Sequence, residues 1–453
     1  MSLELLPGTR RALLHKLATA QVQGRTPSIV AAVIRDGDVV WSDARGTVNG
    51  DVPDGNTQYR IGSITKTFVA VLVLRLRDAG RLSLTDPLSL HLPGVAPDGI
   101  TIRDLLAHTA GLSSESPGPW WERTPGTLRP DLGGVLGDDP LRHPVGRRFH
   151  YSNPGYALLG ALVAKLHDEP WGAVLRREIL EPLGMTRTTP HPVAPHATGW
   201  AVHPWADVLL PEPLQDTGLL SPAGQLWSTT TDLARFASFL LTSPVAQDMR
   251  IPSSPSEPTS LDSPYGLGVQ LLHRDGRLLA GHTGSMPGFL ATVWVSPDDN
   301  LGAVVLANTT AGLTVGTLTA ELLQIVTSHE PRIPAPWRPL ESVDPGVLEL
   351  AGPWYWGPQG YALRPLADGF VELASLTGKT GIRFRPTAST ETWEALNGYF
   401  TGEHLRVIRD PAGTVTHLDV GSFVFTRQPY DPASPIPGGV DPTGWQTAPT
   451  GLY

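Results

Sequence analysis

The sequence predicts an α+β domain followed by a small all-β domain. Three observations lead there. Strand-like segments open the chain and return near residue 280, with helical segments between them. Prolines then crowd "EPRIPAPWRPLESVDP", a linker signature. Beyond it, short alternating segments such as "FVELASL" and "HLRVIRD" are broken by Gly, Asp and Pro, as in a small antiparallel barrel or sandwich. The expected boundaries are 1–330 for the first domain, 331–345 for the linker and 346–453 for the β domain, whose tail from Gln428 is Pro/Gly-rich and irregular.

Each element has a local reason. Ser28 to Gly46 reads as two strands joined by an Asp36-Gly37 turn, a strong hairpin signal. Ser63 to Asp78 reads as a helix closed by Gly80, and it is apolar on nearly every face, which marks a buried central helix. Ser113 to Arg148, rich in Gly, Pro, Trp and Asp, reads as a loop-dominated wall or lid. "SNPGYALLGALVAKLHDEP" is a helix with Pro154 in its first turn, where proline fits best. "TTTDLARFASFLLTS" is another, with its cap expected at Thr230 or Thr231. "LLAGHTGSMPGFLATVWVSPDDNLGAVVLANTT" returns to strands, turning at Asp298 to Asn300, and a last helix runs to about Ser328.

Composition narrows the function. The formal net charge of −9 argues against nucleic acid as a main partner. With no cysteine there is no thiol nucleophile, disulfide or thiolate metal site. The amino terminus lacks the unbroken apolar core of a secretory signal, and no run reaches transmembrane length, so a cytoplasmic location and no membrane partner are expected. Scattered histidines such as His191, His196 and His203 form no H-E-x-x-H or H-x-H-x-D pattern, so neither metal nor cofactor is expected. No G-x-S-x-G occurs either.

The chemistry gathers at "GSITKTF". Ser63 and Lys66 lie three apart at the start of the buried helix and so share a face. A serine hydroxyl needs a base, and a lysine serves only when neutral. Burial and a helix amino terminus both disfavour the ammonium. Two further motifs follow in order: Tyr151, Ser152 and Asn153 before a helix, then His282, Thr283, Gly284 and Ser285 leading into a strand.

With "LLAHTAGLS", "EPLGM" and "SPAGQLWSTTTDLARF" around them, these motifs resemble the serine β-lactamase and penicillin-binding-protein superfamily in its class C-like branch, over about residues 10 to 330. The resemblance implies a β-lactamase-like catalytic domain, an antiparallel sheet flanked by helices with a helical subdomain. It implies Ser63 as the acylated nucleophile, Lys66 and Tyr151 as base and proton shuttle, and Asn153 on a substrate amide. The backbone N–H groups of Ser63 and Ser285 would form the oxyanion hole, with His282, Thr283 and Gly284 along the substrate. His282 stands where the family usually has lysine, replacing a fixed cation by a titratable group. That weakens the case for a β-lactam carboxylate. A literal Lys-Thr-Gly at Lys379 lies beyond the linker and reads as a hairpin residue. Tryptophans 120, 121, 200, 205 and 227 are read either as ordinary packing or as an aromatic substrate wall, with Trp120 and Trp121 the candidates for substrate contact.

The lack of a visible export signal and the trailing β domain make the chain similar to penicillin-binding-protein-type thioesterases, stand-alone cyclases with a lipocalin-like carboxy-terminal domain. That likeness implies a nonribosomal peptidyl thioester, presented on a carrier-protein domain of a peptide synthetase, as acyl donor, and head-to-tail macrolactamisation as the release step. The implied ester-forming residue is D-configured. Two alternatives stay open: a D-amino-acid-specific esterase, amidase, peptidase or β-lactamase-like hydrolase with water as acceptor, and a non-catalytic binding protein on the same scaffold.

Overall fold

The computed structural model describes residues 4–124, 131–257, 260–378, 381–389, 391–431 and 433–435. Lys379 and most of the tail after Gln428 lie outside them. The chain divides into two compact units, Met1–Arg332 and Ile333–Tyr453.

In the first unit, helix α1 (Pro7–Gln23) leads into the hairpin β1 (Ser28–Arg35) and β2 (Asp38–Gly46), turned at Asp36 (φ 53°) and Gly37 (φ 92°). The short strand β3 (Tyr59–Arg60) delivers the chain to α2 (Ile64–Asp78). Next come α3 (Asn153–His167), strand β4 (Trp227–Ser228) paired with β3, and α4 (Thr230–Thr242). Six strands follow: β5 (Ser254–Glu257), β6 (Ser260–Tyr265), β7 (Gln270–Arg274), β8 (Arg277–Met286), β9 (Phe289–Ser296) and β10 (Leu301–Ala307). Helix α5 (Val315–His329) ends the unit.

The main sheet has eight strands in the order β2-β1-β10-β9-β8-β7-β6-β5. Its register sets Ile29 against Ala307 and His282 against Val293. Both faces are covered, which is why β1 and β10 are almost wholly apolar instead of alternating. Ile29, Ala31, Val33, Ala303 and Val305 point to a core shared with α1 and α5. Val30, Ile34, Val304 and Leu306 point to the other, with Phe68 of α2 and Phe236 of α4 stacked 3.9 Å apart. Helix α4 is capped by Thr229, whose hydroxyl accepts the Asp232 N–H, one residue before the expected cap. A one-residue displacement is what three successive threonines allow, since each can accept from the N–H three residues on.

The second unit is a nearly closed antiparallel barrel of eight strands in sequence order. They are β11 (Gly352–Trp356), β12 (Gln359–Pro365), β13 (Val371–Ser375), β14 (Gly381–Pro386), β15 (Thr392–Ala395), β16 (His404–Arg409), β17 (Val415–Val420) and β18 (Phe423–Phe425). Tyr355 and Thr426 exchange backbone hydrogen bonds of 2.7 and 2.9 Å, joining first strand to last. Trp354, Phe384, Trp393, Leu405 and Leu418 pack into one buried cluster of this unit.

Candidate active site

Ser63 sits where β3 turns into α2. Gly62 makes that turn at φ 51°, and a Cβ there would lie 2.7 Å from the backbone N and O of Ser285. Gly284 is more crowded still: its Cβ would lie 1.9 Å from Ile61 O and 3.2 Å from Ser63 N. Two glycines thus let the front of α2 press against β8. This close approach puts Ser63 and Ser285 on the wall of one cleft of about 630 Å³, which Tyr151, His282 and Trp294 also line.

Lys66, one turn into α2, is completely buried. Its Nζ donates to Ser63 Oγ at 3.0 Å and to the Ala223 carbonyl at 2.7 Å. Burial pushes the ammonium down to about 7, against the upward pull of the Glu115 and Glu122 carboxylates. A neutral amine can keep one N–H on Ala223 and offer its lone pair to Ser63.

Tyr151 lines the same cleft as Ser63, and its ring lies 4.8 Å from Lys66 Nζ. Burial raises the phenol far above its usual range, so it enters the reaction protonated. Helix α3 begins just after it, with the Ser152 hydroxyl accepting the Gly155 N–H. Asn153 Nδ2 donates to Glu115 at 2.8 Å.

His282 differs from expectation. Its side chain is buried, Nδ1 donates to the Thr283 carbonyl at 2.5 Å, and Nε2 accepts from the Tyr265 hydroxyl at 3.0 Å. Burial, with the Lys66 charge added, pushes it down to about 3. It is therefore a neutral imidazole near pH 7, and this titratable group adds no charge to the cleft there: both ring nitrogens are committed where a proton cannot be solvated. Thr283 is held by Gln270, which accepts from its N–H at 3.0 Å and its hydroxyl at 3.1 Å.

The tryptophans separate. Trp227 is core and Trp205 stands 90% exposed. Trp120 stacks against Arg123, and Trp121 donates to Glu115 and packs near Val135, Ala157 and Leu220. Neither lines the cleft around Ser63, where the aromatic wall is Trp294 of β9. The sequence reading also passed over Glu115, Ala223 and His108. His108 is buried at φ 56°, its Nδ1 accepts the Ser152 N–H at 3.0 Å, and its ring lies 4.2 Å from that of Tyr151. The "LLAHTAGLS" signature was the available signal, but its link to Tyr151 is tertiary. Among the described residues no group of three or more His, Asp or Glu side chains gathers to hold a metal, and no helix is long and apolar enough to cross a membrane.

A serine, a buried lysine, a tyrosine and two backbone N–H groups around one cleft are the parts of an acyl-transfer site. The family model described as Beta-lactamase matches residues 12–327. The chain belongs to the β-lactamase family. A model described as a domain of unknown function, DUF7586, matches residues 343–427, the barrel. Protein flp of Staphylococcus aureus is 28% identical over 308 residues, 63% of this chain and 60% of flp. The chain thus spans about three-fifths of the curated relatives it matches. A D-stereospecific amidohydrolase from Streptomyces sp. is 25% identical with a TM-score of 0.60, covering 71% of this chain and 98% of that one. SurE is 24% identical with a TM-score of 0.58, covering 93% of this chain and 99% of its own. As a member of this serine hydrolase family, the chain has the fold and the residues of an enzyme working through an acyl-enzyme.

Proposed function

We propose that the chain is a penicillin-binding-protein-type thioesterase. It would take a peptidyl thioester from a carrier-protein domain of a nonribosomal peptide synthetase onto Ser63 and release it by ring closure onto the peptide's own amine. The observation that carries the acyl-enzyme part is the buried Lys66 Nζ, 3.0 Å from Ser63 Oγ. The cyclase part rests on likeness to SurE, a penicillin-binding-protein-type thioesterase matched over both units, and on a cleft whose third motif offers a neutral His282 where a carboxylate would need a cation.

In this reading the Ser63 proton moves to Lys66 as Oγ bonds to the thioester carbon. The oxyanion is held by the N–H groups of Ser63 and Ser285. The carbon–sulfur bond breaks, and the thiolate takes a proton relayed by Lys66 and Tyr151. The incoming amine then attacks the ester, its nitrogen bonding to carbon as the bond to Oγ breaks, and its proton returns to Oγ. A second reading, a D-amino-acid-specific amidase or esterase with water as acceptor, is favoured by the likeness to the D-stereospecific amidohydrolase.

The test is incubation with an N-acetylcysteamine thioester of a linear peptide ending in a D-residue. An adduct on Ser63 by intact mass, followed by a product one water lighter than the free acid, is the expected result. Acid alone would leave the hydrolase reading, and no adduct would remove both.

A further inference from the structure

Tyr265 belongs to none of the three motifs, yet its hydroxyl meets the third. It ends β6, and its ring is buried among those of His108 at 4.9 Å, Phe149 at 5.4 Å and His282 at 5.9 Å. The loop after it fixes that place. Gly268 stands at φ 73°, and a Cβ there would lie 2.2 Å from the Ala70 Cβ and 3.1 Å from the Tyr156 hydroxyl. Its carbonyl accepts from the Thr67 hydroxyl at 2.9 Å, and its N–H donates to the Leu106 carbonyl at 3.1 Å. The segment that carries Tyr265 is thus laced to α2 one residue beyond Lys66.

The hydroxyl has one arrangement open to it. His282 Nδ1 lies 2.5 Å from the Thr283 carbonyl, which can only accept, so that nitrogen carries a proton. Nε2 lies 3.0 Å from the Tyr265 hydroxyl. An imidazolium could donate at both ends, but burial and the nearby Lys66 disfavour its charge. The ring is therefore the Nδ1–H tautomer, and Tyr265 donates to its bare Nε2. Both nitrogens are spent inside the protein, so the third motif shows the cleft no side-chain N–H. Nothing beside it supplies a cation. The described residues that line the cleft include no Lys or Arg, and Gln270, Thr283, Ser285, Thr314 and Thr317 there are neutral.

We propose that Tyr265 is a positioning residue for substrate choice: by donating to Nε2 it holds His282 in the Nδ1–H form, and the enzyme thereby selects acyl donors that lay an uncharged group along β8. This rests on the reading of Ser63 as the acylated nucleophile. A carboxylate in that place meets hydroxyls but no imidazole N–H, and gains no bond to a cation. Removing the Tyr265 hydroxyl leaves Nε2 a buried acceptor without a donor, which costs more than the lost bond alone. The imidazole then takes a proton from solvent at Nε2, or turns over so that an N–H faces the cleft. Either form gives a carboxylate a partner.

The probes are N-acetyl-D-alanyl thioesters of N-acetylcysteine and of its methyl ester, a pair that sets a carboxylate against its neutral ester on the leaving side. Wild type is expected to prefer the neutral thioester in kcat/KM by at least about tenfold. Tyr265→Phe keeps the ring among its neighbours and removes only the donor. It should lose at least about fivefold of that preference, chiefly through a lower KM for the carboxylate. Heteronuclear NMR of histidine-labelled protein, assigned against His282→Gln, should show the His282 proton on Nδ1 in wild type and no longer confined there in Tyr265→Phe. A preference unchanged in Tyr265→Phe, or an equal fall with both thioesters, would overturn the proposal, the latter making Tyr265 a packing residue only. Wild type alone gives a reading independent of any variant: a proton on His282 Nε2, or equal rates from both thioesters, overturns it. Intact mass separates the two levels. Absence of any Ser63 adduct from either thioester removes the acyl-enzyme reading and this proposal with it, whereas an adduct formed without regard to charge removes only this proposal.

Discussion

Lys66 Nζ is held between Ser63 Oγ at 3.0 Å and the Ala223 carbonyl at 2.7 Å, with no exposure to solvent. The geometry makes the lysine a base only when deprotonated, and burial brings that change to about pH 7. Acylation by an activated ester should therefore rise with pH through a single limb near 7. Lys66→Ala should lower acylation at least about a hundredfold and abolish the limb, as stopped-flow measurement across pH 5.5 to 9 would show. A limb surviving in Lys66→Ala would assign it elsewhere.

The same burial carries a stability cost. Unfolded Lys66 keeps its proton up to its ordinary value of 10.5, while the folded chain has released it above about 7. Stability should climb with pH across that window, because the unfolded state binds the extra proton. Below it both states are charged and the folded one carries the whole penalty, a few kcal/mol. Lys66→Met should thus melt higher than wild type at pH 6, with the difference shrinking toward pH 10. Calorimetry at both ends checks the sign.

Ser63→Ala should give no covalent adduct with a thioester or an activated ester while melting like wild type, since the half-buried Ser63 hydroxyl is not part of a packed core. Intact mass of the incubated variant decides it, and an adduct on the alanine variant would move the nucleophile.

For His282 the neutral, doubly bonded imidazole fixes a different outcome from that of a surface histidine. His282→Gln should leave the limb near 7 in place, because the group that titrates is Lys66. His282→Lys would bury a second ammonium near the first, lowering melting by several degrees and shifting the limb to lower pH. A penicillin and a thioester compared on both variants report whether the added cation recruits a carboxylate.

His108 should act on Tyr151 from behind. His108→Phe keeps the ring against the phenol but loses the acceptor for Ser152 N–H, and His108→Asn does the reverse while tolerating positive φ. Turnover of a poor leaving group, which needs a proton, should fall at least about tenfold relative to a p-nitrophenyl ester when the stack is lost. Equal losses on both substrates would make His108 purely structural.

How far the site can be read from residue order is visible in these same side chains. Ser63, Lys66 and the turn residues around them announce themselves locally, because a helix start and an i, i+3 pair are short-range facts, and so do the hairpin at Asp36-Gly37 and the long apolar helices. The resemblance carried Tyr151, Asn153, His282 and Ser285 by order and spacing alone. What order could not carry is anything set by who faces whom. Whether His282 titrates depends on Tyr265 and the Thr283 carbonyl closing over its ring; whether Trp121 lines the cleft depends on Glu115 turning its indole away. Glu115 and His108 lie tens of residues from the motifs they touch and meet them only because the loop after α2 is laced to the start of α3. Periodicity reports the neighbours a residue has along one element, and a pKa or a binding wall is made by neighbours from several. The sequence by itself determined the elements and the reacting groups; the tertiary structure decided which of those groups are dry, and therefore which of them carry charge.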